Sequence, residues 1–206
     1  MSGPATVHVV DDDSAILDSL RFLLEPAGYV VRTYESPGAL LAAALPPDGC
    51  VLTDFRMPEM DGITLQERLA AASVRLPVIV MTGNGDVSSA VRAMKAGAVD
   101  FLEKPFEERE LFDAIERAID GNRRTLDAYN QATTALRHLA TLTGREREVL
   151  DHIVSGKSNK EIAQILGISP RTIDVHRAHI FQKLDADSLA DLVRLVVAAQ
   201  PPGATR

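Results

Sequence analysis

The first 120 residues alternate between short, largely apolar runs and longer stretches whose apolar positions recur every three or four residues. The runs at 7–10, 30–33, 50–53, 78–81 and 100–102 predict five strands, and the spacing near 14–25, 37–44, 63–72, 86–96 and 107–119 predicts a helix after each. Strands this apolar are buried on both faces, the pattern of a parallel sheet covered by crossover helices. Four of the runs stop at a polar residue with its own chemistry. The first delivers Asp11 and Asp12, the third Asp54, the fourth Thr82, and Phe101-Leu102 runs on to Lys104-Pro105. In a parallel sheet all of these gather at the carboxyl edge, where open α/β sheets bind ligands at the point of reversal in strand order.

Five such units fit a flavodoxin-like sheet of order 2-1-3-4-5, with the reversal between the first and third strands, the two that carry Asp11, Asp12 and Asp54. The pattern then changes. From Gly121 to Leu142 the chain is polar and Ala-rich, with Leu126, Tyr129, Thr133, Leu136 and Leu139 at helical spacing. This reads as a helical linker continuous with the preceding helix, or as a frayed tether, since Gly121-Asn122 is a plausible helix stop. Thr143 to Glu146, Ser158 to Glu161 and Ser188 to Asp191 each place a hydroxyl three residues before an acid, the capping-box arrangement, and Ser169-Pro170 adds an N-cap with proline at the first helical position. Four short helices follow, near 144–155, 159–166, 170–184 and 188–199. The tight turn Gly167-Ile168-Ser169 between the middle two marks a helix-turn-helix. The predicted organisation is an α/β domain over 1–120, a linker over 121–141 and an all-α helix-turn-helix domain over 142–206.

Length agrees with two domains, since 206 residues exceed the usual single-domain size. The net charge of −7 hides an asymmetry: residues 1–120 hold 10 Lys and Arg against 20 Asp and Glu, and residues 121–206 hold 12 against 9. The acidic half repels nucleic acid and the mildly basic half tolerates it. Cys50 is the sole cysteine, so no intramolecular disulfide forms, and its apolar setting suggests an inert core thiol. The start of the chain is too short and polar for a signal peptide and no run of about 18 apolar residues occurs, which points to a cytoplasmic protein without a membrane partner.

Carboxylates about 4 Å apart repel by about 4 kcal/mol per pair at an effective dielectric near 20, so Asp11, Asp12 and Asp54 call for a cation. Oxygen-only ligands point to Mg2+, which keeps waters and takes one or two carboxylates plus a phosphate oxygen. A carboxylate beside that ion can attack phosphorus and hold the group as an acyl phosphate. Asp54, at the end of the central strand, is the best nucleophile; Lys104 would neutralise a phosphoryl oxygen and Thr82 would hydrogen-bond another. Duller roles suit other residues: Asp13 as a helix N-terminal acid, Asp61-Gly62 as a turn, and His8 as a core histidine.

Val9-Val10-Asp11-Asp12-Asp13, Leu52-Thr53-Asp54 through Met60-Asp61-Gly62, Val80-Met81-Thr82-Gly83 and Asp100-Phe101 through Lys104-Pro105-Phe106 resemble the receiver domain of two-component response regulators. The resemblance implies that Asp54 is the phosphoacceptor, with Asp12 and Asp54 binding Mg2+ directly, Asp11 acting through water and the Arg56 carbonyl as a further ligand. It implies that Thr82 and Phe101 form a switch pair, the hydroxyl moving toward the phosphoryl group and the ring turning inward, and that Lys104-Pro105 is cis. Leu17 stands where some members have arginine.

In the last segment, Ile173, Ile180, Phe181 and Leu184 have the spacing of a core-facing stripe, which leaves Arg171, Asp174, Val175, Arg177 and Ala178 toward solvent or DNA. Arg177 could pair with guanine, Asp174 accept from a cytosine amine and Val175 touch a thymine methyl; Lys160, Arg171, Thr172, His176 and Lys183 are phosphate candidates. Leu142 to Glu146, Gly156 to Ala163 and Ser169 to His176 are similar to the LuxR-type DNA-binding domain, and both domains together resemble the FixJ branch of the NarL/FixJ response regulators. That resemblance implies a transcription factor phosphorylated by a sensor histidine kinase, dimerising when phosphorylated, binding double-stranded DNA and engaging RNA polymerase, and not an enzyme beyond slow chemistry at Asp54. Two rivals remain: a regulator that works without phosphate, and a Mg2+-dependent aspartyl-phosphate phosphatase. Against the second, Arg56 stands where such hydrolases place a general acid and base, two residues after the nucleophile.

Overall fold

The computed structural model describes residues 4–83 and 87–199. The chain divides into two compact units, Met1–Thr125 and Leu126–Arg206. The first runs β1 (Thr6–Val10), α1 (Ser14–Leu24), β2 (Val30–Tyr34), α2 (Pro37–Leu41), β3 (Gly49–Asp54), α3 (Gly62–Ala71), β4 (Val78–Thr82), α4 (Val87–Lys95), β5 (Asp100–Glu103) and α5 (Glu108–Ala140), the last of which continues into the second unit. All strand pairs are parallel and the order is β2-β1-β3-β4-β5, as the alternation of runs and helical stretches required. Residue 86, where the sequence placed the start of the fourth helix, lies outside the described residues. The second helix is shorter than its apolar pattern, ending at Leu41 instead of 44.

Successive strand residues face opposite sides of the sheet, and this splits the core in two. Val7, Val9, Leu52, Ile79 and Met81 pack under α1 and α5 against Leu20, Leu24, Leu111 and Ile115. Val10, Val51, Val78 and Val80 pack on the other side with Leu40, Leu65, Leu69 and Ala93. Cys50 is buried in the first layer, where loss of hydration pushes its thiol up to about 12. Burying both faces in aliphatic side chains holds the strand ends in fixed register, and those ends carry the site.

His8 is the polar exception inside the sheet. It is fully buried, its Nδ1 lies 3.0 Å from the Tyr34 hydroxyl, and the two rings stack. Burial, aided by the Arg32 charge, lowers its pKa to about 4, so it stays neutral in the fold at pH 7. Below pH 6.5 the unfolded state takes up a proton that the folded state refuses until about pH 4. Stability should therefore fall as pH drops through that window, and His8→Phe should flatten the fall. Denaturant midpoints of the two proteins between pH 7 and 5 measure this; parallel curves would show that His8 titrates alike in both states.

The helix α5 decides between the two readings of residues 121–142. It runs unbroken through Gly121-Asn122, so the stop that this dipeptide suggests does not occur. Asn122 is buried and its side-chain amide donates to the carbonyls of Pro47 at 2.7 Å and Gly49 at 3.3 Å, while Arg123 pairs with Asp48 at 3.0 Å. Tertiary hydrogen bonds across the start of β3 thus override a weak local signal.

The second unit holds α6 (Gly144–Val154), α7 (Asn159–Leu166), α8 (Pro170–Lys183) and α9 (Leu189–Ala198). Both capping boxes at Thr143 and Ser158 form, and Ser169 caps α8 with Pro170 in its first turn. At Ser188 the hydroxyl accepts from the Asp191 amide and donates to the Asp191 carboxylate. Gly167 closes α7 in the left-handed conformation at φ 67°, which lets the chain turn directly into α8. Ile173, Ile180 and Leu184 are buried with Val149, Leu150, Ile162 and Leu192, and Phe181 packs against them, as the spacing required.

Candidate functional site

Asp11 follows directly on β1 and is buried, and one of its oxygens accepts from the Asp13 backbone N–H at 3.0 Å. Asp12 beside it is exposed, and Asp13 is the N-cap of α1, accepting from the Ala15 N–H at 2.9 Å. β3 ends at Asp54, whose Oδ2 accepts from the Arg56 N–H at 2.6 Å. The chain then returns against its own strand: Phe55 N–H donates to the Met81 carbonyl and Gly62 N–H to the Phe55 carbonyl. A Cβ on Gly62 would lie 2.6 Å from the Asp54 carbonyl oxygen, so only glycine lets α3 start this close to Asp54. Asp61, which the sequence suggested as part of a turn, is the N-cap of α3 and accepts from the Thr64 N–H at 2.7 Å.

Lys104 follows β5 and precedes a cis bond to Pro105. Its backbone N–H donates to the Thr82 carbonyl at 2.7 Å, and its ammonium donates to Asp11 Oδ2 at 2.7 Å and Asp54 Oδ1 at 2.6 Å. Burial opposes the charge on Lys104, but its hydrogen bonds to Asp11 and Asp54 and the charges of both outweigh that cost and raise its pKa. The ammonium therefore stays charged at neutral pH and holds two carboxylates from different strands together. Thr82 is buried at the end of β4. In the β4–β5 register Phe101 pairs with Val80 and Glu103 with Thr82, so Phe101 and Thr82 share one face of adjacent strands. Phe101 as a residue is 39% exposed.

Three acids and one ammonium leave this edge with excess negative charge, and every donor is a hard oxygen. Among the described residues no three acidic, histidine or cysteine side chains converge as a ready-made cage. The carboxylate oxygens of Asp11, Asp12 and Asp54 are donors of the type that Mg2+ takes, a few at a time, with water and phosphate oxygens completing its shell. The Lys104 ammonium, bridging Asp11 and Asp54, offsets part of the negative charge of this edge.

In the second unit, α8 presents Arg171, Thr172, Asp174 and the half-exposed apolar Val175 to solvent, with His176 and Arg177 partly buried beside them; Lys160 is exposed on α7. The Thr172 hydroxyl lies 2.8 Å from that of Ser169 at the helix cap. The Asn159 side-chain amide donates to Asp174 at 2.6 Å and accepts from Arg177 at 3.2 Å. Lys183 donates at 2.7 Å to the buried Glu146, so a DNA phosphate would have to share its ammonium. That bond, with the Thr143 backbone bond, holds the Glu146 carboxyl down at about 2 despite its burial.

Residues 7–116 match the family model of the response regulator receiver domain, and residues 140–196 match that of the bacterial regulatory proteins of the luxR family. The chain belongs to the response regulators. This response regulator is 46% identical to the transcriptional regulatory protein FixJ of Rhizobium meliloti over 94% of its own length and 95% of the relative's. Among solved structures it is similar to the response regulator StyR, at TM-score 0.84 and 45% identity over 95% of this chain and 99% of that one. It is similar also to full-length FixJ from B. japonicum, at TM-score 0.59 and 44% identity over 96% and 98%. The regulator thus joins a receiver to a LuxR-type DNA-binding domain in a two-component system. Strand-edge reasoning found Asp11, Asp54, Thr82 and Lys104, which the structure brings together. It missed Gly62, whose role shows only where two backbones meet, and Asn159, which reads in the sequence as a mere first helical residue.

Proposed function

We propose that this response regulator is switched by phosphorylation of Asp54 and, so modified, dimerises and binds double-stranded DNA to regulate transcription. The observation that carries the reading is the Lys104 ammonium shared between Asp11 and Asp54, a cationic clamp at the site where a phosphoryl group would sit. The donor is a phosphohistidine of a sensor histidine kinase. An Asp54 carboxylate oxygen attacks phosphorus, the O–P bond forms as the P–N bond breaks, and the bonding electron pair leaves on the imidazole nitrogen. Asp11, Asp12, Asp54 and the Arg56 carbonyl would hold Mg2+, whose charge offsets that of the phosphoryl oxygens. Lys104 exchanges one carboxylate partner for a phosphoryl oxygen, and Thr82 donates to another.

The phosphoryl group brings a charge of about −2 to the sheet edge. Drawing Thr82 inward vacates space on the face it shares with Phe101, whose ring turns in to fill it. This reshapes the surface around β5 and its neighbouring helices, and that surface pairs two copies. Pairing matters because a single weakly charged DNA-binding unit binds feebly, whereas two units on half-sites about one helical turn apart combine their affinities. Within the DNA-binding unit, Lys160, Arg171, Thr172, His176 and Lys183 meet phosphates, and Asp174, Val175 and Arg177 read bases. RNA polymerase is the partner on the promoter, and the setting is the cytoplasm; among the described residues no helix is long and apolar enough to cross a membrane. With Arg56 two residues after Asp54, where hydrolases carry a general acid, hydrolysis is slow and the chain serves as a switch, not a turnover enzyme.

Sedimentation of the full chain with and without acetyl phosphate and Mg2+ tests the coupling. The treated protein should run as a dimer and bind a promoter fragment about tenfold or more tightly. A treated protein that carries phosphate yet stays monomeric and binds no better would overturn the proposal.

A further inference from the structure

Asp174 and Arg177 lie three residues apart on α8, close enough for opposite charges to pair directly along the helix. Such a pair would consume the acceptor and donors that face DNA. In the structure they meet through a third residue on another helix. Asn159, first in α7 and half-buried, donates its amide N–H to Asp174 Oδ1 at 2.6 Å and offers its carbonyl oxygen to Arg177 Nη1 at 3.2 Å. A side-chain amide carries its donor and its acceptor on separate atoms, so it can serve a carboxylate and a guanidinium at the same time. Phe181 completes the setting, its ring 5.9 Å from the guanidinium carbon of Arg177.

Resting on the DNA-binding reading above, we propose that Asn159 is a positioning residue for sequence readout, an insulator that keeps the two base-reading charges apart and fixes the rotamer of each. Asp174 retains Oδ2 for a cytosine amine, and Arg177 retains the rest of its guanidinium for a guanine edge. Both side chains are long or charged and would otherwise sample several rotamers, so ordering them before binding removes a cost that each specific contact would bear. Asn159 acts through Asp174 and Arg177 and need not touch a base itself.

The test uses the full chain treated with acetyl phosphate and Mg2+, and duplexes selected by it from a randomised DNA pool. Position-by-position base preferences and the dependence of affinity on salt are measured for the parent, Asn159→Ala, Asp174→Ala, Arg177→Ala and the Asn159→Ala/Asp174→Ala pair. Asn159→Ala should flatten the preference at the bases that Asp174→Ala and Arg177→Ala affect by about tenfold, with the salt slope and the thermal midpoint unchanged. In the Asp174→Ala background the further loss at the Asp174 base should vanish. A variant that keeps the parental preferences, or one whose effect adds in full to that of Asp174→Ala, would overturn the proposal. If Asp174→Ala and Arg177→Ala leave every preference intact, the base-reading assignment itself is wrong and the insulator falls with it. A uniform loss of affinity with a lowered thermal midpoint would reveal a folding role in place of positioning.

Discussion

Asp54→Asn should abolish covalent labelling by acetyl phosphate and Mg2+ while leaving the fold intact. The amide keeps the volume of the carboxylate and an oxygen for Lys104, which donates to Asp54 Oδ1 at 2.6 Å in the parent. It lacks the anionic oxygen that attacks phosphorus, so no acyl phosphate forms. Intact-mass spectra should show one phosphoryl group on the parent and none on the variant, and DNA affinity should no longer respond to acetyl phosphate. Labelling of Asp54→Asn at the parental rate would place the acceptor elsewhere, with Asp12, exposed beside the pair, the first residue to examine. The same experiment separates the switch from its rivals. A regulator that ignores phosphate would show parental DNA binding in every sample, and a phosphatase would release phosphate continuously from small esters.

The second large effect falls on Gly62. In Gly62→Ala the new methyl would lie 2.6 Å from the Asp54 carbonyl oxygen and 3.1 Å from Thr53 Cγ2. The first of these is main chain and cannot swing aside, so the end of β3 must move, taking the reactive carboxylate with it. Overpacking of this kind costs about 2 kcal/mol, equivalent to a fall of about 8 °C in the thermal midpoint of a unit this size. Gly144→Ala is the control, because its Cβ would meet nothing within 4 Å and alanine suits a helix better than glycine. Calorimetry and the rate of acetyl phosphate labelling should both suffer in Gly62→Ala and neither in Gly144→Ala. If the Gly62→Ala midpoint stays within about a degree of the parent, the close approach is looser than the backbone suggests.

The sheet was legible because each buried parallel strand writes itself as an unbroken apolar run, and a run that ends on Asp, Thr or Lys states where its side chain will lie. This is why the sequence alone assigns Lys104 and Asp11, far apart in the chain, to one edge. The capping boxes were equally local and equally readable. What stayed hidden were contacts whose partners carry no periodic mark. Asn122 looks like a helix breaker until Pro47 and Gly49 present their carbonyls to it. The ion pair of Lys183 with Glu146 is equally hidden, since nothing in a capping box says that its acid has a second partner. Asn159 gave no signal at all, because its two partners lie on the next helix and neither charge type demands an amide.

Cys50 lies in the first core layer, four residues before Asp54 on the same strand, and it is the sole sulfhydryl in 206 residues. A thiol kept protonated and sealed among aliphatic side chains ignores alkylating reagents until the strand itself comes loose. Its rate of alkylation is therefore a built-in gauge of how often the receiver breathes, readable in the whole molecule while the helical unit stays silent, and comparing that rate before and after phosphorylation would show whether the signal tightens the sheet or loosens it.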